Sequence, residues 1–169
     1  MVIYCKPRGE ISGSAAVYAL LEHAYQAEFG GELPEINKTF HGKPYFPGIP
    51  EVFFSLSHAR THVLCAISDS PVGCDIESPR IISQRALRFF SSPEELALFE
   101  PLELWVLKES YVKLFGQTIA SIKNLRFSFD GERIILPDSS VTARLYHVSD
   151  CCAAVCSLGL NPPDSIELI

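Results

Sequence analysis

What this chain has little of narrows its class before any motif is read. It contains one methionine and one tryptophan, and it has no apolar run near the roughly 20 residues that a membrane-spanning helix needs. The start, Met1 to Lys6, breaks at Pro7 before a secretory hydrophobic stretch could form, so a cytoplasmic location is expected. No short-period repeat or low-complexity tract is present. Charged residues are 20% against 47% hydrophobic, a balance that excludes a disordered chain. Positive charge is not in excess either: a net charge of -6 gives no electrostatic basis for binding nucleic acid, and any acidic partner would need a local patch such as Arg80, Arg85 and Arg88. Six cysteines occur, but without C-x-x-C spacing and in apolar settings such as Leu64-Cys65-Ala66, so they read as reduced core residues. Adjacent Cys151 and Cys152 are the pair for which metal binding or oxidation is weighed.

What is present is 169 residues, enough for one domain of ordinary size or two small lobes sharing a core. Val72 to Glu77 reads as a strand. Its alternation puts Val72, Cys74 and Ile76 on one face and Gly73, Asp75 and Glu77 on the other. Two carboxylates beside a glycine that leaves room repel each other unless a cation neutralises them, and a hard divalent ion, Mg²⁺ foremost, takes such oxygen ligands. A bare D-x-E on a strand is more often only a solvated face. In Trp105 to Lys113 the apolar spacing is helical, and Val106, Glu109 and Lys113 share one stripe. Read alone, Glu109 and Lys113 make an ordinary surface pair one turn apart.

Around these segments, Val2 to Cys5 reads as a strand, and Ser12-Gly13-Ser14 caps a helix from about Ala15 to Phe29 that Gly30-Gly31 stops. Phe40 to Pro50 is a proline- and glycine-rich loop carrying Lys43, and Val52 to Leu56 is a strand with Ser57-His58 at its end. Turn formers at Ser68 to Pro71 predict a hairpin between His62 to Ile67 and Val72 to Glu77. Helices are expected near Ser83 to Phe90, after the capping signal Ser92-Pro93-Glu94-Glu95, and from Leu102 to Phe115, ended by Gly116. Strands are expected at Leu125 to Phe129, Arg133 to Leu136, Thr142 to Val148 and Ala153 to Leu158.

Five ordered blocks then carry a resemblance: Gly42-Lys43-Pro44-Tyr45, Phe54-Ser55-Leu56-Ser57-His58, Gly73-Cys74-Asp75-Ile76-Glu77, Phe89-Phe90-Ser91 and the W-x-x-K-E-S-Y-x-K of Trp105 to Lys113. Together, over roughly residues 41 to 130, they resemble the Sfp-type 4'-phosphopantetheinyl transferases. The resemblance implies an α+β fold of two pseudosymmetric lobes, each a helix packed on an antiparallel sheet, divided here as 1-78 and 79-169 with the site between them. It implies transfer of 4'-phosphopantetheine from coenzyme A to a serine of an apo acyl or peptidyl carrier protein. Asp75, Glu77 and Glu109 would hold Mg²⁺, and Glu109 would also be the general base. Lys108 and Lys113 would steady phosphate oxygens or the carboxylate, and Lys43, Ser57, His58 and Ser14 would contact coenzyme A. The chain departs from the pattern at two places. Gly13 stands where the family carries an arginine, after a nearly absent lysine-bearing segment, and the stretch between Phe90 and Trp105 that helps receive the carrier is short. An inactive coenzyme A or carrier-binding homologue, and a metal-dependent phosphohydrolase on the same carboxylates, are the alternatives.

Overall fold

The computed structural model describes residues 1–169. In chain order the strands are β1 (Val2–Pro7), β2 (Asn37–Lys38), β3 (Pro44–Tyr45), β4 (Phe53–His58), β5 (His62–Ser68), β6 (Val72–Glu77), β7 (Ser128–Phe129), β8 (Ile134–Ile135), β9 (Val141–Val148), β10 (Cys151–Leu158) and β11 (Glu167–Leu168). The helices are α1 (Gly13–Phe29), α2 (Gln84–Phe90), α3 (Pro93–Leu96) and α4 (Pro101–Leu114), with a 3-10 segment at Ile119–Asn124.

Local chemistry sets the helix ends. The Ala15 N–H donates to Ser12 Oγ at 3.2 Å, so α1 starts at Gly13, earlier than the spacing predicts, and Gly30 closes it at φ 73°. Ser92 and Glu95 cap α3 reciprocally through bonds of 3.0 and 3.3 Å. Pro101 sits inside α4 at its first position, where its missing N–H is harmless.

Two main sheets form, ordered β11-β1-β5-β4 and β6-β10-β9. Alternation along the strands sorts the core into layers. Ile3, Leu64 and Ala66 of the first sheet meet Cys74, Ile76 and Val155 of the second, so the sheets pack face to face. The outer face of the first sheet, with Val63, Cys65 and Ile67, lies under Leu20 and Leu21 of α1. The outer face of the second, with Ala154 and Cys156, lies under Leu107 and Tyr111 of α4. The molecule is thus a helix, two sheets and a helix in layers, a mixed α+β architecture.

The predicted hairpin of β5 and β6 is not formed. β5 pairs with β1 and β4, whereas β6 pairs antiparallel with β10, with Asp75 opposite Ala154. The turn at Ser68 to Pro71 carries the chain from one sheet to the other. Sheet membership therefore crosses residue 78 in both directions, because β6 joins β9 and β10 while β11 runs parallel to β1. The expected strands near 125 and 133 shrink to the two-residue pair β7 and β8, and the 40–50 loop holds β3.

No hydrogen-bonded strand covers the other edge of β6, and side chains from β4 take that place. Ser55 Oγ accepts from the Cys74 N–H at 2.9 Å and Ser57 Oγ from the Ile76 N–H at 3.3 Å. These hydroxyls satisfy donors that would otherwise be buried without partners, each worth about 1 kcal/mol net. They also fix β4 against the strand that bears Asp75.

All six cysteines are free and buried. Cys151 faces the layer between the sheets and Cys152 the α4 side, so the adjacent pair cannot share a metal or join each other.

Candidate functional site

Glycine decides where α4 lies. A Cβ on Gly73 would stand 2.1 Å from the Ser110 carbonyl oxygen and 2.3 Å from the Leu114 nitrogen, so only glycine lets the helix backbone settle on β6. The room expected beside the carboxylates is filled by the helix itself. That close approach brings Glu109 and Lys113 over Asp75.

Asp75 is 5% exposed. Its Oδ1 accepts from Lys113 Nζ at 2.7 Å and from Ser57 Oγ at 2.7 Å, while Oδ2 is buried without a partner. Lys113 also donates to Ser57 Oγ at 3.0 Å and to the Leu56 carbonyl at 3.5 Å. Burial pulls the Lys113 ammonium down, but Asp75 outweighs it and the net shift is upward, so this lysine stays charged. The helical surface pair of Glu109 with Lys113 is not made: the lysine reaches across to β6 instead.

Glu77 takes Trp105 Nε1 at 3.2 Å and Arg80 at 3.1 Å on one carboxylate oxygen, and the Arg80 guanidinium stacks over the Trp105 ring at 5.3 Å. Glu109 has no ion-pair partner. Its carboxyl is raised from 4.5 to about 7, first by burial and then by Asp75 and Glu77, against the opposing pull of Lys113 and Arg80. The oxygens of the three acids are not all within 4.8 Å of one another. Two observations nevertheless fit a cation there: the orphaned Asp75 Oδ2, and a Glu109 carboxyl that burial first, and then the nearby Asp75 and Glu77, keep from ionising.

Lys43 donates to the Val72 carbonyl at 3.2 Å and to the Leu114 carbonyl, at the end of α4, at 2.6 Å, leaving one of its three donors free. Burial lowers it to about 8. Lys43 and Lys113 both line a cleft of about 220 Å³ between the 41–44 loop, β4 and the end of α4. A larger groove of about 910 Å³, bounded by β7, β8 and β9, includes none of the predicted site residues.

His58 lies on the strand itself, exposed, with its ring against the first turn of α1: a Cβ on Gly13 would fall 2.7 Å from its Cγ and Nδ1. Ser14 is exposed on that same turn, and Ser12 rather than Ser14 is the cap.

Two of the residues predicted to contact coenzyme A have their donors engaged within the protein. Lys108 is fully buried and gives its three donors to Glu95 at 2.7 Å, the Phe90 carbonyl at 2.5 Å and the Leu125 carbonyl at 3.0 Å, so it has none for a phosphate. Its neighbours one turn away are Leu104 and Tyr111, both buried, a spacing that marks the core face. Ser57 gives its one proton to Asp75 and accepts from Ile76 and Lys113, so it positions the pair and has no donor left. Sequence reasoning missed Glu95, buried in the core beneath its capping role, and missed the Trp105 bond to Glu77, for which no sequence signal existed.

Residues 71–157 match the model of the 4'-phosphopantetheinyl transferase superfamily. The chain belongs to this superfamily. It is 32% identical to 4'-phosphopantetheinyl transferase Sfp of Bacillus subtilis (strain 168), over 76% of this chain and 65% of that protein. It is 39% identical to 4'-phosphopantetheinyl transferase psf-1 of Bacillus pumilus, over 58% of this chain and 48% of that one. A further 4'-phosphopantetheinyl transferase of Bacillus subtilis is 35% identical, over 58% and 50%. The chain thus spans about half to two thirds of the length of these relatives.

Proposed function

We propose that this protein transfers 4'-phosphopantetheine from coenzyme A to the serine hydroxyl of an acyl or peptidyl carrier protein, with Mg²⁺ held by Asp75, Glu77 and Glu109. The observation that carries this reading is Asp75: one carboxylate oxygen held rigidly by Lys113 and Ser57, the other buried, bare and facing no protein donor. A group costly to bury in this way is retained where a ligand completes it. Mg²⁺ would supply charge neutralisation at the pyrophosphate as the leaving phosphate builds negative charge.

The chain's own residues provide the rest. Lys113, kept charged by Asp75, and the remaining donor of Lys43 face the cleft from two sides and suit an anionic phosphate ester. The serine Oγ of the carrier attacks the phosphorus that bears pantetheine, the bond to the 3',5'-ADP oxygen breaks, and the hydroxyl proton passes to Glu109. Glu109 makes no hydrogen bond within the protein, so a carboxylate oxygen is free to take it. His58 beside Ser14 extends the donor set toward the first turn of α1. Exposed Arg85, Arg88 and Phe89 on α2 offer an acidic carrier a basic and apolar rim.

The test is to incubate the protein with coenzyme A, Mg²⁺ and a panel of apo carrier proteins and read intact masses. A carrier gaining one phosphopantetheine with release of 3',5'-ADP supports the proposal. Hydrolysed coenzyme A without carrier modification would make the protein a phosphohydrolase, and binding without turnover would make it a binding homologue.

A further inference from the structure

We propose that His62, Asp150 and Cys151 form a second cation site, for a thiophilic divalent ion and zinc in particular, separate from the Asp75 cluster. The three ligand atoms, a ring nitrogen, a carboxylate oxygen and a thiol sulfur, lie within 4.8 Å of one another. Cys151 Sγ is 3.6 Å from His62 Nδ1 and 3.6 Å from Asp150 Oδ1. A tetrahedral zinc with bonds of about 2.3 Å to sulfur and 2.0–2.1 Å to nitrogen or oxygen sets its sulfur-to-nitrogen and sulfur-to-oxygen edges at about 3.5–3.6 Å. Both edges from the sulfur already stand at the spacing the ion requires.

The surroundings suit the same ion. Thr61 Oγ1 is 3.0 Å from Nδ1 and 3.2 Å from Sγ, and Ser78 Oγ is 3.6 Å from Sγ, so two hydroxyls stand close enough to hydrogen-bond a water that completes the ion's coordination. A mixed nitrogen, sulfur and oxygen set selects zinc over magnesium, which the all-carboxylate cluster suits. With a thiolate, a carboxylate and a neutral imidazole, the site carries two negative charges against two positive. Binding releases the Cys151 proton to solvent and replaces the hydrogen bond between Thr61 and His62.

Its place in the fold gives the site a role. His62 begins β5 in the first sheet, whereas Asp150 and Cys151 lie in and after the two-residue turn between β9 and β10 in the second. That turn holds Ser149 at φ 54°, a left-handed conformation uncommon for a residue with a side chain. A bound ion would therefore tie the two sheets together next to Ser78, one residue beyond Glu77, and stabilise the folded chain by mass action.

The test titrates the purified full chain with Zn²⁺ in excess Mg²⁺, and separately with Co²⁺ as a spectroscopic stand-in. One Zn²⁺ per chain, release of a proton, a rise in Tm and a sulfur-to-cobalt charge-transfer band are expected. His62→Ala, at a part-exposed side chain, should weaken Zn²⁺ by at least the roughly 10- to 100-fold that loss of an outer partner already costs. Cys151→Ser should abolish the band, and Asp75→Asn should leave both Zn²⁺ binding and the band intact. Absence of a thiolate band in the native protein at saturating Co²⁺, or equal Zn²⁺ affinity in native and His62→Ala proteins, overturns the proposal. Neither result bears on transfer, which His62→Ala should leave unchanged.

Discussion

Two lysine–carboxylate pairs lie along the same helix, Lys108 with Glu95 and Lys113 with Asp75, each at 2.7 Å. Their chemistry is the same and their completion is not. Glu95 accepts from Lys108 and the Phe127 N–H on one oxygen and from the Ser92 N–H on the other, and Lys108 uses every donor. Asp75 leaves Oδ2 bare, and a third carboxylate, Glu109, stands nearby without a partner. A closed polar network specifies a core, whereas an open one of the same composition is a place for something to bind.

The comparison breaks most visibly at Lys108. Replacing it with Met leaves Glu95 charged in the core, so a loss of about 3–5 kcal/mol is expected in urea unfolding. The double change with Glu95→Leu should recover most of that loss, because two apolar groups can replace a buried pair. Transfer per folded molecule should persist. A Lys108→Met protein of native stability that no longer transfers would return this lysine to the phosphate.

Asp75→Asn is the converse. Asparagine still offers an oxygen to Lys113 and Ser57, so the chain should remain folded, while transfer falls about 100- to 1,000-fold, or some 3–4 kcal/mol in the barrier. Transfer assayed across Mg²⁺ concentrations checks it. Normal rates at low Mg²⁺ would mean that Asp75 is only the anchor of Lys113.

Glu109→Gln sharpens the contrast through pH. The folded value of about 7 lies above the ordinary 4.5, so Glu109 supports stability fully below 4.5 and withdraws that support as pH rises toward and through 7. Gln does not titrate. In metal-free buffer the variant should match the native stability near pH 4 and exceed it at pH 8, by about 1–2 kcal/mol after solvent screening of a partly solvated group, read as a higher Tm. Transfer should fall at the same time. Parallel Tm curves at all pH values would remove Glu109 from the electrostatic cluster.

How much of this was legible follows from what is local. The strand alternation that puts Asp75 and Glu77 on one face, and the stripe carrying Glu109 and Lys113, are properties of neighbouring residues, and both sit where the spacing puts them. The partner of β6 is not local: Ser68 to Pro71 forms a turn equally well inside one sheet or between two, so the hairpin expectation failed. The role of Lys108 lay within reach, since Leu104 and Tyr111 flank it on an apolar face, but a motif shared with Lys113 suggested a shared role. Ser57 could not be sorted from sequence, because a hydroxyl that binds a ligand and one that holds Asp75 differ only in what surrounds them.

The smallest effect expected is at Gly13, where the first turn of α1 meets His58. A methyl there would crowd the ring at 2.7 Å, but His58 is exposed and makes no side-chain hydrogen bond, so it can turn away at little cost. Stability in Gly13→Ala should change by no more than about 0.5–1 kcal/mol, with the gain in helix propensity offsetting the crowding. If His58 in its present place donates to a phosphate of coenzyme A, moving it should weaken binding roughly tenfold, the worth of one charge-assisted hydrogen bond of about 1.5 kcal/mol. The decisive measurement is a cycle with His58→Ala: Gly13→Ala should weaken coenzyme A binding in the native background and do nothing further once the imidazole is gone. Equal losses in both backgrounds would show that the methyl acts on the ligand directly, and that His58 is not the donor.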